Sequence, residues 1–571
     1  MREPAADVSA WEKGILVAAG TGVTIGVALL TGGAIASVVA GGSWAWPAPD
    51  LAGRTVGRLL TDPGDPGAAY PPATAGEIPG PITFWSVTGL TLALAVVVAT
   101  LGVMAVLRRR TPDGMASRGE IRAAMAPARR AGARPFATYR GVDVAARPED
   151  SCVVVAPSRA GKTTSLAAPR VVDAPGPVVA TSTKADLLRL TVTARAAVGP
   201  VHVWDADRIT GWPELARWDV VAGCDDVREA AGRARAMVAA RPLGQARNAG
   251  FFAATAETVL RCLLHAAALG GGSMRDVVTW SRDFSNDEPY AVLRDSPGAA
   301  PGWFDDLRKY CRAGAPETTS STDMSLGLVL ASLADPQVLD LVCPAAGTGV
   351  DVDKVLSPGP DGRATLYVVC EGGSAASTAP LATALISAVV RAGRRASQRR
   401  ADGRLDPECT FVLDEAPNVA PIPEMPLLLS DGGGRGMPAW LFAQSFGQLR
   451  ARWGRDEADT MWGSSPVKLI LGGASETDDL ERLSRLLGER RVRRISTSRS
   501  HGSGWSRQTS TEKERVLSVP DIRQLDVGQA LLLYRSQPPA VVDLTPWWNR
   551  KDASAFGHAP SRPPAPRVAR S

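Results

Sequence analysis

The chain has 571 residues, 45% hydrophobic and 21% charged, enough to hold two or more domains and bury a substantial core. Its net charge of +6 is modest and uneven: residues 108–140 carry nine arginines against only Asp113 and Glu120. The excess of Arg over Lys, with abundant Ala and Gly, fits a GC-rich coding sequence better than an adaptation to nucleic acid. Seven scattered cysteines without C-x-x-C spacing and four dispersed histidines exclude a zinc-site pattern. The cysteines read as small core residues in a reducing compartment.

Residues 14–42 and 82–107 carry no charge, and each run exceeds the ~20 residues needed to span a hydrocarbon layer. The first run has a second reading as a cleaved signal peptide, with small residues near Trp44-Ala45-Trp46 as the cleavage site. It is longer than a usual signal core, so residues 1–110 are expected to form a membrane anchor with two retained spans. The second span ends in Arg108-Arg109-Arg110, while the loop between the spans has only Arg54 and Arg58 as bases. By the positive-inside rule the N-terminus and everything after Leu107 lie in the cytoplasm, under the plasma membrane. The arginine cluster then faces anionic inner-leaflet lipid. Residues 43–81, rich in Pro, Gly and Ala, read as a poorly structured extracytoplasmic loop.

Residues 111–222 open with a basic connector and continue into a nucleotide-binding pattern. The apolar run Cys152-Val153-Val154-Val155 reads as a buried strand, and Thr164 to Ala168 opens a helix. Between them stands Ala156-Pro157-Ser158-Arg159-Ala160-Gly161-Lys162-Thr163. A loop between strand and helix surrounds phosphate with backbone N–H groups and the helix N-terminus. Pro157, Ser158, Arg159, Ala160, Gly161 and Thr164 form that cradle, Lys162 reaches the β/γ oxygens, and the Thr163 hydroxyl binds Mg²⁺. ATP with Mg²⁺ is the expected ligand. Ala156 stands where the pattern has its first glycine; an ordinary strand–helix turn is the plainer alternative.

Short apolar strands follow at residues 178–181 and 201–205. Residues 223–345 change texture to helical periodicity, and strands return at 364–369, 410–413, 439–443, 467–471 and 530–534. The simplest architecture is one α/β domain, residues 111–222 and 346–548, interrupted by an all-helical insertion. Residues 549–571 are rich in Pro, Ala and Arg and read as a disordered tail.

The strand Thr410–Leu413 ends in Asp414-Glu415, about 250 residues after the loop. In a phosphate-loop ATPase the first carboxylate holds Mg²⁺ and the second polarises the attacking water. Gln444, ending the run Ala439–Ala443, is placed to contact the γ-phosphate or that water; a helix cap at Gln444-Ser445 is the alternative. Arg435, in a glycine-rich turn, is either a guanidinium for a neighbouring subunit's γ-phosphate or a surface arginine.

Taken together, the two spans, the phosphate loop, Val412-Leu413-Asp414-Glu415-Ala416-Pro417-Asn418 and Gly434-Arg435-Gly436-Met437-Pro438-Ala439-Trp440-Leu441-Phe442-Ala443-Gln444-Ser445 resemble TraG/TraD-type coupling proteins of conjugation and type IV secretion. The runs from Lys468 to Gly473 and from Val519 to Tyr534 fit the same family. The resemblance implies a membrane-anchored, RecA-like P-loop ATPase, a homo-hexamer around a channel. Its implied partners are DNA, a relaxase or relaxosome, and components of a secretion channel, with the insertion facing the substrate. Ser182 departs from the pattern, where an Asp often precedes the lysine at Lys184. The competing readings are an FtsK-like double-stranded DNA translocase, which usually ends in a winged-helix reader, and a passive substrate receptor.

No base-reading module is evident, which suits a motor that needs only backbone contacts. Arg490, Arg491, Arg493 and Arg494 lie in a β-type hairpin pattern, residues 485–515, and are the DNA-binding candidates. The alternative is a solvated hairpin whose arginines meet neighbouring subunits or lipid.

Overall fold

The computed structural model describes residues 26–109, 114–241, 249–313, 316–345, 347–356, 363–372, 377–500 and 503–557. The chain divides into two compact units, Met1–Thr111 and Pro112–Ser571.

In the first unit, an apolar helix Gly26–Val39 packs closely on helix Pro81–Arg109. A Cβ at Gly32 would lie 2.7 Å from Thr88 Cα, and one at Gly33 would overlap the Tyr70 hydroxyl. Only glycine permits this approach of the two helices. Residues 43–81 are not the poorly structured loop expected. They form helices Pro49–Thr61, Pro66–Ala69 and Pro72–Ala75, each with proline in its first turn. That proline presets the helical φ and removes an N–H the helix start does not need. Leu59, Ala69 and Tyr70 close over Ala36 and Phe84 as a small core, which a composition rich in Pro and Gly conceals.

Among the described residues one helix, Gly250–Leu269, is long and apolar enough to cross a membrane, and 56% of its apolar stretch is buried. It is a core helix of the second unit, with Ala256, Val259, Leu260 and Leu263 inside. Gly26–Val39 and Pro81–Val97 are shorter apolar stretches. Residues 14–25 of the first expected span lie outside the described residues.

The second unit is built on an eleven-stranded sheet. Its strands are β1 (Ala137–Tyr139), β2 (Val142–Val144), β3 (Cys152–Val155), β4 (Val178–Ser182), β5 (Val201–Asp205), β6 (Thr365–Val369), β7 (Thr410–Leu413), β8 (Ala439–Ala443) and β9 (Val467–Leu471), joined, after the separate hairpin β10 (Glu489–Ser500) and β11 (Ser503–Arg515), by β12 (Gln529–Tyr534) and β13 (Ala540–Leu544). The order is β2-β1-β13-β12-β9-β3-β8-β7-β4-β6-β5. From β9 to β5 every neighbour is parallel; β12, β13, β1 and β2 add an antiparallel edge. Strands with helices on both faces read as unbroken apolar runs, as β3, β4, β6, β7 and β8 do. Successive residues serve opposite layers: Val153 and Val155 join one core, Cys152 and Val154 the other.

Between β5 and β6 all described elements are helical, from Val227–Ala239 to Val352–Leu356. They share one apolar core with Val153, Val155 and Leu366 of the sheet. The basic connector is structured too. Its helix Arg118–Arg130 has a reciprocal Ser117/Glu120 cap, and β1–β2 extend the sheet. Residues 549–557, expected to open a disordered tail, are structured instead. Arg550 holds Asp173 through two hydrogen bonds of 2.8 and 2.6 Å, and Phe556 stacks on Trp547 at 5.6 Å. Those contacts dock residues 549–557 on the sheet unit; residues 558–571 lie outside the described residues.

Candidate active site

An open α/β sheet binds ligands in the crevice outside the carboxyl ends of its parallel strands, where the chain order reverses. Here β3 is such a point: the chain leaves it for β4 on one side and later returns with β9 on the other. The phosphate loop follows β3 directly. Ala156 continues the β3–β8 pairing, its N–H donating to the Ala443 carbonyl at 2.9 Å, and it is fully buried. The methyl that replaces glycine therefore packs into the core instead of crowding the loop.

Arg159 and Gly161 take positive φ, 66° and 85°, turning the loop back over the helix start. The helix begins as a π turn, Thr163–Ala167, before regular turns over Ala168–Asp173. Pro169 has no N–H for the regular rung, and wide turns of this kind recur beside functional sites.

One strand, β8, separates β3 from β7, and three strand ends converge. Lys162 Nζ donates to Glu415 Oε1 and lies 3.3 Å from Asp414 Oδ1. The Thr163 hydroxyl donates to Asp414 Oδ2 at 3.3 Å. Gln444 Nε2 is 3.1 Å from both Glu415 oxygens. Lys162, Asp414 and Glu415 are all buried. Glu415 sits at φ 52°, the left-handed region that costs a branched or bulky residue roughly 1 kcal/mol or more. That turn carries its carboxylate to the same side as Asp414. Burial raises the Asp414 pKa, the Lys162 ammonium opposes the shift, and neighbouring Glu415 adds to it.

The metal reading can be tested on the donors. Asp414 Oδ1 is buried and faces the Lys162 ammonium at 3.3 Å, and the Thr163 hydroxyl lies beside the same carboxylate. A hard-oxygen pair of this kind fits Mg²⁺.

Not every sequence candidate enters this cluster. Pro157 and Ser158 line a cavity of about 240 Å³ with Gln444, Ser445, Phe446, Glu476 and Asp479, beside the loop. Arg435 instead holds Asp431 at 2.5 Å, at the amino end of β8 and so at the opposite end of the sheet. Within one chain it takes no part. Arg490, on β10, lies 3.7 Å from Glu514 and Arg491 is exposed; the Arg493 and Arg494 side chains lie outside the described residues. Ser445 caps helix Phe446–Trp453, leaving Gln444 to the site.

Sequence reasoning missed two supports. Asn418 Nδ2 reaches Glu415 at 3.4 Å, and the Thr181 hydroxyl holds the Asp414 carbonyl at 2.8 Å. Asn418 stands three residues after Glu415 on a short helix, a spacing that signals a shared face; Thr181 carried no signal.

Residues 408–527, which include Asp414, Glu415 and Gln444, match the family model described as the TraM recognition site of TraD and TraG. The chain is TraG/TraD-like. It is 24% identical over 157 residues to the conjugal transfer protein TraG of Rhizobium radiobacter, a match covering 27% of this chain and 24% of that protein. Solved structures of the conjugative coupling protein TrwB share its fold. The unbound form, 20% identical, covers 76% of this chain and 92% of its own, with a TM-score of 0.54. The complex with the ATP analogue ADPNP covers 78% and 96%, also at 20% identity and a TM-score of 0.54. Another TrwB structure holds ADP and Mg²⁺. The sheet unit thus has the mixed α/β, RecA-like fold of TrwB.

Proposed function

We propose that the chain is a membrane-anchored, ATP-hydrolysing coupling protein that moves a relaxase-bound DNA strand to a type IV secretion channel. The observation that carries this reading is the meeting of Lys162, Thr163, Asp414, Glu415 and Gln444 at the ends of three adjacent strands. The likeness to TraG and TrwB supports a role in conjugative DNA transfer.

Lys162 lies against both carboxylates. An arriving triphosphate competes for that ammonium, and its departure leaves Glu415 to accept a proton from an attacking water. Gln444, already on Glu415, orients the same water or senses the γ-phosphate. Thr163 and Asp414 would hold Mg²⁺, which when bound offsets charge on the β/γ oxygens. Arg435 acts across a subunit boundary, in a homo-hexamer, on a neighbour's γ-phosphate. The two apolar segments anchor the chain in the plasma membrane, with the second unit cytoplasmic. The helical insertion faces the incoming relaxosome, and a TraM-like protein is a partner for residues 408–527.

The test is complementation of a transfer-deficient donor. The wild-type chain should restore DNA transfer and Lys162→Ala should not, with equal membrane-fraction levels of both. Transfer restored by Lys162→Ala would leave a passive receptor as the better account.

A further inference from the structure

The hairpin β10–β11 divides its charge between two faces. Directly paired residues of an antiparallel ladder share a face, and each strand alternates with period two. The register pairs Glu489 with Arg515, Arg491 with Lys513, Arg493 with Thr511, Thr497 with Arg507 and Arg499 with Trp505. One face therefore holds the positions of Arg491, Arg493, Arg499, Arg507, Lys513 and Arg515, against the single carboxylate of Glu489. The other face pairs Arg490 with Glu514 and Val492 with Glu512, and adds Arg494 opposite Ser510, so its two cations meet two anions. The four arginines of the sequence pattern are thus split two and two. Arg491 and Lys513, a direct cross-strand pair on the basic face, are both exposed. Like charges facing each other destabilise a hairpin, so their pairing calls for an anion from outside.

The hairpin is also tied to the phosphate loop. Helix Thr477–Leu487 runs directly into β10, and Arg515 lies 3.3 Å from Glu481 on that helix. Asp479, in its first turn, and Glu476 before it wall the cavity beside Pro157 and Ser158. Arg450 holds Asp479 through two 2.7 Å hydrogen bonds. A change at the loop is therefore one helix away from the hairpin.

We infer that the Arg491/Lys513 face of the hairpin is the surface on which this chain grips a single-stranded nucleic acid. Spaced cations suit a phosphate backbone. Linkage to the loop favours a strand that is moved over a bilayer that is not. The inference rests on the motor reading for its purpose, but equilibrium binding tests it without nucleotide, so the two can fail separately.

The experiment uses the full chain in neutral-lipid nanodiscs and a fluorescent thirty-nucleotide oligo-dT, titrated over a range of salt without ATP. Arg491→Gln/Lys513→Gln is compared with Arg490→Gln/Arg494→Gln, which removes the same charge from the balanced face. Each lost phosphate contact on a single strand lowers the salt slope by ~0.7, so the first variant should lose ~1.4 in slope and bind about 25-fold more weakly at 0.1 M salt. The second should keep the wild-type slope. Equal losses from both double variants, or none from either, would overturn the assignment. So would oligo-dT binding that stays intact while capture of phosphatidylserine vesicles falls, which would make the face a lipid contact.

Discussion

Replacing Glu415 by Gln separates chemistry from binding, because the side chain is buried and its contacts are few and known. The amide keeps one oxygen for the Lys162 ammonium and can keep Gln444 if the latter turns its own amide over. Asp414, 3.3 Å from Lys162, still neutralises the ammonium. A charged hydrogen bond contributes ~1.5–3 kcal/mol and a neutral one ~0.5–1.5, so the fold should lose about 1–2 kcal/mol. Loss of a general base costs ~10²–10⁴ in rate, or about 3–5 kcal/mol of barrier. The rate effect exceeds the stability effect, and the two are read separately. Phosphate release should fall by ~10²–10⁴, while affinity for a fluorescent ATP analogue with Mg²⁺ stays within a few-fold. In donors that also make wild-type chain, the variant should lower transfer, since in the proposed hexamer one stalled subunit impairs the ring. Hydrolysis within fivefold of wild type would refute the role of Glu415. Transfer at wild-type efficiency with hydrolysis abolished would refute the motor.

Three further outcomes follow from buried groups. Burial raises the Asp414 pKa, and Mg²⁺ needs the ionised form, so Mg²⁺ affinity should begin to fall at a pH above the ordinary aspartate range. The sign is fixed by the folded state taking up its proton first: this group's contribution to apo stability rises as pH falls through the folded pKa and is lost as pH rises. Calorimetric titration of Mg²⁺–ADP across that range checks it, and a midpoint at or below that of free aspartate counts against it. Cys224 is pushed up to about 11 and Cys262, Cys311 and Cys409 to about 12, all by burial. Because the thiolate is the nucleophile, iodoacetamide at neutral pH should label the native protein at Cys343, the half-buried one, before any of these. Mass spectrometry of native and urea-unfolded samples reads this directly, with rapid native labelling of Cys262 or Cys409 as the contrary result. Arg195 is buried and donates to the Thr365 hydroxyl and to the Ala174, Gly176 and Arg363 carbonyls at 2.7–3.1 Å. Arg195→Met orphans those acceptors at ~1–3 kcal/mol apiece, so the urea midpoint should drop by at least ~3 kcal/mol equivalent. A loss below about 1 kcal/mol would mean water replaces the guanidinium.

What the sequence made legible follows from which forces act locally. The strands of the parallel sheet are buried on both faces, so each is a continuous apolar run bounded by polar residues, and β3 to β9 could be placed from that alone. Of the antiparallel edge only β12 could be placed: β1 and β2 are three residues each, and β13 alternates with a solvated face, so none of those three breaks the surrounding polarity. The loop, Asp414-Glu415 and Gln444 were visible because phosphate chemistry restricts residue type at fixed offsets. Their convergence was not. It depends on β8 lying between β3 and β7, a neighbour relation made by crossovers tens to hundreds of residues long. Arg435 shows the converse. Only three residues separate it from β8, yet the strand carries Gln444 to one end of the sheet and leaves Arg435 at the other. Proximity in sequence put Arg435 among the candidates, and strand direction removes it from its own chain's site. A catalytic role for it therefore needs a second subunit, which makes oligomer-dependent hydrolysis the property that decides between the two readings of that arginine.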